Sequence, residues 1–189
     1  MTRRENSTAT AGTGIFAIQS AGDFLGKLEG DVALLMEDVA DSGLAMNGIL
    51  AAYHIHEWLW AGWLKPKAPV PVRGTMIRNK EDLRSWLDKD CPHFKVIQDL
   101  ANGSKHCRPV AYGASEVSGY GRGPYGVGPF GTPYLLIDLG TDHPPAARWL
   151  VAHSLLTAVA EFWRGLFNEI GVTQAGLDPA SAPDAHSSG

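Results

Sequence analysis

Apolar residues recur at helical spacing along most of this chain, and one stretch is apolar on nearly every side. That stretch is Ala45–Leu64, AMNGILAAYHIHEWLWAGWL, and a helix of this kind belongs in the middle of a fold. Three adjacent rows run along it, and each carries a polar residue among apolar or small ones. His56 interrupts the row of Ala45, Ile49, Ala52, Leu59 and Trp63. Glu57 interrupts the row of Met46, Leu50, Tyr53, Trp60 and Leu64, and Asn47 and His54 interrupt the row of Ala51, Trp58 and Ala61. Lys65-Pro66 predicts its end.

Before it, Phe24, Leu28, Val32, Leu35 and Val39 lie three and four apart, which predicts a first helix from near Ser20 or Asp23 to about Ser42. Gly26 and Gly30 weaken it by about 1 kcal/mol each relative to alanine. Gly43 fits as its stop. After the long helix, KPKAPVPVRGTM holds three prolines and reads as an extended connector. Asn79 can cap a short third helix through Leu83, Trp86 and Leu87. Asp90, with Pro92 behind it, can cap a fourth that carries Phe94, Ile97, Leu100 and Ala101 and stops at Asn102-Gly103.

The periodicity then switches. Arg108–Glu116 and Thr132–Leu139 alternate in part and read as two strands of a hairpin. Between them GYGRGPYGVGPFG reads as a long surface flap, with Tyr120, Tyr125, Phe130 and Arg122 able to stack on bases. Asp142, followed by Pro144 and Pro145, predicts a last helix through Trp149, Leu150, His153 and Phe167, ended by Gly171. The expected fold is mainly α: a bundle of about five helices with a β-hairpin, about residues 108–139, inserted before the last helix. Residues 14–173 form one domain, and residues 1–13 and 174–189 are too poor in large side chains to fold.

Composition changes this picture little. A hydrophobic fraction of 44% and a charged fraction of 19% describe a soluble globule. A net charge of −4 excludes a broad electrostatic grip on nucleic acid or anionic lipid. Cys91 and Cys107 form no CxxC and read as free thiols of a reducing compartment. The first residues lack the apolar core of a signal peptide, and polar residues break the longest apolar run. A cytoplasmic location without membrane contact is therefore expected.

Candidate chemistry gathers at two places. His54 and Glu57 are three apart on a helix and can cooperate, either by chelation or by a hydrogen bond that settles a core histidine. His93, Asp99, His106, His153 and Glu161 are candidate further ligands, but none repeats the spacing, so neither a metal nor another cofactor is expected. The second place is VIQDLANGSKH. Lys105 and His106 would follow the end of the fourth helix, where the dipole favours cations by about 0.3–1 kcal/mol each. Alternatively Asp99, Asn102, Lys105 and His106 line a cleft against the second helix.

An apolar helix with a Tyr-His-x-His-Glu-Trp core, paired with Leu-Ala-Asn-Gly-Ser-Lys-His and a hairpin before the last helix, resembles a group of uncharacterised bacterial helical proteins. More remotely the pattern is similar to HEPN (higher eukaryote and prokaryote nucleotide-binding) domains, helical bundles that bind nucleotides or cleave RNA without metal. Their motif places a histidine four to six residues after an arginine. The resemblance maps that histidine onto His106, with Lys105 beside it as a cation at the wrong spacing, while positions 99–101 are Asp, Leu and Ala and the arginine is absent.

The resulting expectation is a helical module that binds a nucleotide, RNA or a protein partner, with homodimerisation open. Its cleft would use His54, Glu57, Asp99 and Asn102. The alternatives are a HEPN-type ribonuclease with His106 and Lys105 as catalytic groups, a metal-dependent bundle enzyme using His54, Glu57 and His106, or a structural partner of another protein. The ribonuclease reading predicts that RNA cleaved by the wild type survives incubation with His106→Ala; equal cleavage by both, or by neither, removes it.

Overall fold

The computed structural model describes residues 18–106, 113–117 and 123–172. The expected tails, Cys107, Arg108 and the first half of the glycine-rich stretch, with Tyr120 and Arg122, lie outside the described residues. Five helices are present among the described residues, together with two small antiparallel sheets. No described helix is long and apolar enough to cross a membrane.

The first helix, α1 (Ala21–Glu37), starts where Ser20 and Asp23 satisfy each other's backbone N–H groups in a capping box. It ends at Glu37 rather than near Ser42. The helix α2 (Ser42–Leu59) begins at once, because the Asp41 carboxylate accepts the Leu44 N–H at 2.9 Å. Gly43 thus belongs to the first turn of α2 and is not the stop of α1. The remainder of the expected long helix is a π-helical turn, Trp60–Leu64, followed by a tight 3-10 turn, Lys65–Lys67, that carries Pro66.

The row of α2 from Ala45 through Ile49, Ala52 and His56 to Leu59 is wholly buried. Helix α2 packs on α1, on α4 (Phe94–His106) and on α5 (Ala152–Ile170). Small residues permit the close approach. A methyl group placed on Gly48 would stand 2.8 Å from Leu156 of α5.

The proline-rich connector contains a hairpin that its sequence hid. Strands β1 (Val70–Val72) and β2 (Thr75–Ile77) pair antiparallel across the two-residue turn Arg73-Gly74. Both turn residues have positive φ, 43° and 80°, as a tight hairpin of the right twist requires. Arg73 is held there by two hydrogen bonds to Glu169 of α5, at 2.8 and 2.6 Å. Asn79 caps α3 (Lys80–Asp90) as expected. Asp90 ends α3 instead of capping α4, which starts two residues beyond Pro92, after His93 in the left-handed region.

Helix α4 does not stop at Asn102-Gly103 but continues to His106. A helical glycine costs about 1 kcal/mol, and packing of the buried Leu100 and Ala101 outweighs it. Strands β3 (Gly113–Val117) and β4 (Tyr134–Asp138) form the expected pair. A third strand, β5 (Trp149–Val151), joins β4. Trp149 and Leu150 are therefore strand residues, and α5 starts at Ala152. Arg148 grips Asp138 with two bonds of 2.6 Å and sets this pairing. Gly171, at φ 72°, ends α5 as expected.

Strand β4 is apolar on both faces because both are covered. Ile137 belongs to the main helical core, whereas Tyr134 and Leu136 form a second cluster with Val117 and Val151. The described half of the glycine-rich loop folds over that second cluster. Tyr134 donates its hydroxyl hydrogen to the Val127 carbonyl at 2.8 Å. A methyl on Gly128 would come within 2.5 Å of the Tyr134 ring. This half is tied to the sheet at Tyr134, while Tyr125 and Phe130 stay on the surface.

Gly126 and Gly128 share nearly the same φ, 76° and 77°, but only Gly128 meets Tyr134. Alanine at either should cost about 1 kcal/mol of backbone strain. Gly128→Ala should cost about 1–3 kcal/mol more through overpacking. Urea unfolding of the two variants checks this, and equal losses would remove the role assigned to the Tyr134 contact.

Candidate functional site

The polar centre of α2 divides into two environments. His56 faces inward and is 1% exposed. Its Nδ1 bonds to the Tyr53 carbonyl, and its ring stacks against Tyr53 and edge-on to Phe94 at 5.5 Å. A backbone carbonyl only accepts, so Nδ1 carries the proton and Nε2 is left as an acceptor, which is buried without a hydrogen bond among the described residues. Burial pushes the pKa of His56 below its ordinary value, more than the Tyr53 bond and the nearby Glu57 raise it. His56 is a neutral core histidine.

His54 and Glu57 face outward and are about two-fifths exposed, 39% and 41%. Their side chains meet at 3.0 Å, Nδ1 to Oε2, as the spacing of three predicts. The sequence left a third member unseen. Lys80, the first residue of α3, reaches across to the other Glu57 oxygen at 2.7 Å. Partial burial alone would raise the pKa of Glu57, but the hydrogen bonds from Lys80 and His54 outweigh it and hold the carboxyl at about 2. Glu57 is thus a permanent anion with both oxygens engaged. Among the described residues no indole bonds to it, and the indole N–H groups of Trp86 and Trp163 are buried without partners.

This row edges a groove between α2 and α4 of about 550 Å³. Met46, Leu50 and Ala101 make its apolar part, and Tyr53, His54, Glu57, Asn102 and Ser104 its polar part. The expected meeting of His54 and Glu57 with Asn102 is therefore present. Because α4 runs on, Asn102 and Ser104 project from a helix rather than from a turn. Ser104 spends its proton on the Ala101 carbonyl at 2.7 Å. A second cleft, about 510 Å³, lies on the other side of Glu57 between Trp58, Ala61, Gly62 and the residues Gln19–Ala21 that open α1.

Asp99 lies on α4, with its carboxylate 2.8 Å from Lys95, and does not line the groove. Lys105 and His106 occupy the last turn of α4, and their side chains lie outside the described residues. Among the described residues no three His, Cys, Asp or Glu side chains come together as a metal site. Cys91 is buried, and burial pushes its thiol up to about 12 despite the nearby Arg73, which leaves it inert as a nucleophile.

No family model, curated protein or solved structure matches the chain. The groove itself is therefore the guide to function.

The His56 environment carries a consequence for stability. The unfolded chain takes up a proton at this histidine near its ordinary value of 6.5, whereas the buried ring resists it. Stability is therefore full above that pH and falls as the pH drops below it. His93 and His153 shift the same way through burial, so only part of the loss belongs to His56. Urea midpoints should decline on acidification of the wild type, and His56→Phe should decline less. An identical decline would show that His56 is not a source of the acid sensitivity.

Proposed function

We propose that the groove between α2 and α4 binds a small polar ligand of mononucleotide size, and that the protein is a binding module. The observation that carries this reading is the groove's composition and volume taken together. About 550 Å³ falls within the range of about 300–1,000 Å³ common for small-molecule sites. An apolar shelf, Met46, Leu50 and Ala101, lies beside a phenol, an imidazole and a carboxamide. A heteroaromatic ring can lie against the shelf and Tyr53 while its polar edge meets His54 and Asn102. Glu57 at the rim disfavours polyanions, so a nucleoside or monophosphate fits better than a triphosphate. An RNA strand or a protein partner would need surface beyond the groove, such as the second cleft past Glu57.

Calorimetric titration with adenosine, cytidine, guanosine, uridine and their monophosphates tests the reading. Saturable one-to-one binding by at least one of them is expected, weakened about tenfold or more by Asn102→Ala, a loss of about 1.4 kcal/mol. Absence of saturable binding by all of them, or binding that Asn102→Ala leaves unchanged, would sink it.

A further inference from the structure

The polar edge of the groove has a direction, and that direction selects a ligand. Glu57 is ionised and can only accept hydrogen bonds. Its Oε2 lies 3.0 Å from Nδ1 of His54, so Nδ1 must carry the proton. Lys80 holds the other oxygen at 2.7 Å and so keeps the carboxylate ionised and turned toward the histidine. In the neutral form of the ring the lone pair is then on Nε2, which makes no hydrogen bond among the described residues. His54 also lines the groove beside Asn102.

We propose that His54 is the specificity residue of the groove and presents a hydrogen-bond acceptor, so that the site prefers ligands bearing an N–H donor at that position. For heterocycles whose exocyclic group faces Nε2, the preferred class is the amino form, as in adenine and cytosine, over the keto form, as in hypoxanthine and uracil. This rests on the reading that the groove binds a nucleoside-sized ligand. The physical basis is the cost of an unmade bond. A keto oxygen facing Nε2 sets two acceptors against each other, and both lose their water. Protonation of His54 turns Nε2 into a donor and removes or reverses the preference. Among the described residues, the charged and titratable groups around His54 are Tyr53 and Glu57 on α2 and Lys80 on α3, while α4 presents the uncharged Asn102 and Ser104.

Adenosine and inosine provide the probe, because they differ at the purine 6-position, amino against keto, and in the ring-nitrogen proton that accompanies the keto form. Their affinities are measured by calorimetry at about pH 8 and about pH 5, on either side of the range in which imidazoles titrate. At the higher pH adenosine should bind at least about tenfold more tightly than inosine, and at the lower pH the ratio should shrink toward one or invert. His54→Phe, which keeps a ring but has no acceptor, should bind both alike at both pH values. Glu57→Gln can donate to Nδ1 as well as accept from it, so it frees the tautomer and should reduce the ratio at the higher pH. Circular dichroism confirms that each variant is folded. Equal binding of the two nucleosides by the wild type, or a preference that His54→Phe retains, overturns the assignment while leaving the groove as a binding site. Failure of both nucleosides to bind overturns the assignment and the nucleoside reading together.

Discussion

The structure depends on how α2 is packed. One helix touches α1, α4 and α5, and it can do so because its inward side is built from Ala45, Gly48, Ala51 and Ala52, punctuated by Ile49, Ile55 and Leu59. Small side chains bring the helix axes close, and the branched ones fill what remains. That packing has one chemical cost, His56, which stays neutral inside the core with one ring nitrogen bonded to the backbone of its own helix. The three contacts do not enclose the helix. The side bearing Met46, Leu50, Tyr53, His54, Glu57, Trp58, Ala61 and Gly62 remains partly open, and both grooves lie along it.

The open side is where the polar groups form a unit. Glu57 sits between the two grooves with one oxygen toward α2's own His54 and the other toward Lys80 of α3. Such a pair of bonds fixes a tautomer, and a fixed tautomer is a fixed sign of hydrogen bonding toward the groove. One residue type therefore does different work at two places on the same helix. The buried imidazole of His56 is packing material, and the half-exposed imidazole of His54 lines the groove.

Much of the architecture was legible from local pattern. Caps at Ser20 and Asn79 and the stop at Gly171 follow from chemistry that acts within a few residues, and the apolar pattern marked the strand at Tyr134–Asp138. Where the reading failed, a distant partner had overridden a local preference. Trp149–Val151 joined the sheet because β4 offered an edge and Asp138 gripped Arg148. Asn102-Gly103 stayed helical because α4 packs on α2. Arg73-Gly74 turned a hairpin although arginine is a poor left-handed residue, with Glu169 nearly a hundred positions away holding it. The glycine-rich stretch looked loose because nothing in it pointed to Tyr134, the ring whose bulk its glycines make room for.

By itself, the sequence determined the helical character of the chain, the central place of Ala45–Leu64, and the contact of His54 with Glu57, since residues three apart on a helix meet whatever surrounds them. It also showed that His56 must face away from that pair. Only the tertiary structure decided which histidine is buried, that Lys80 completes the polar row, and that Asn102 shares a groove with it. Those outcomes depend on how helices are placed against one another, a matter of packing between distant segments that no local spacing encodes.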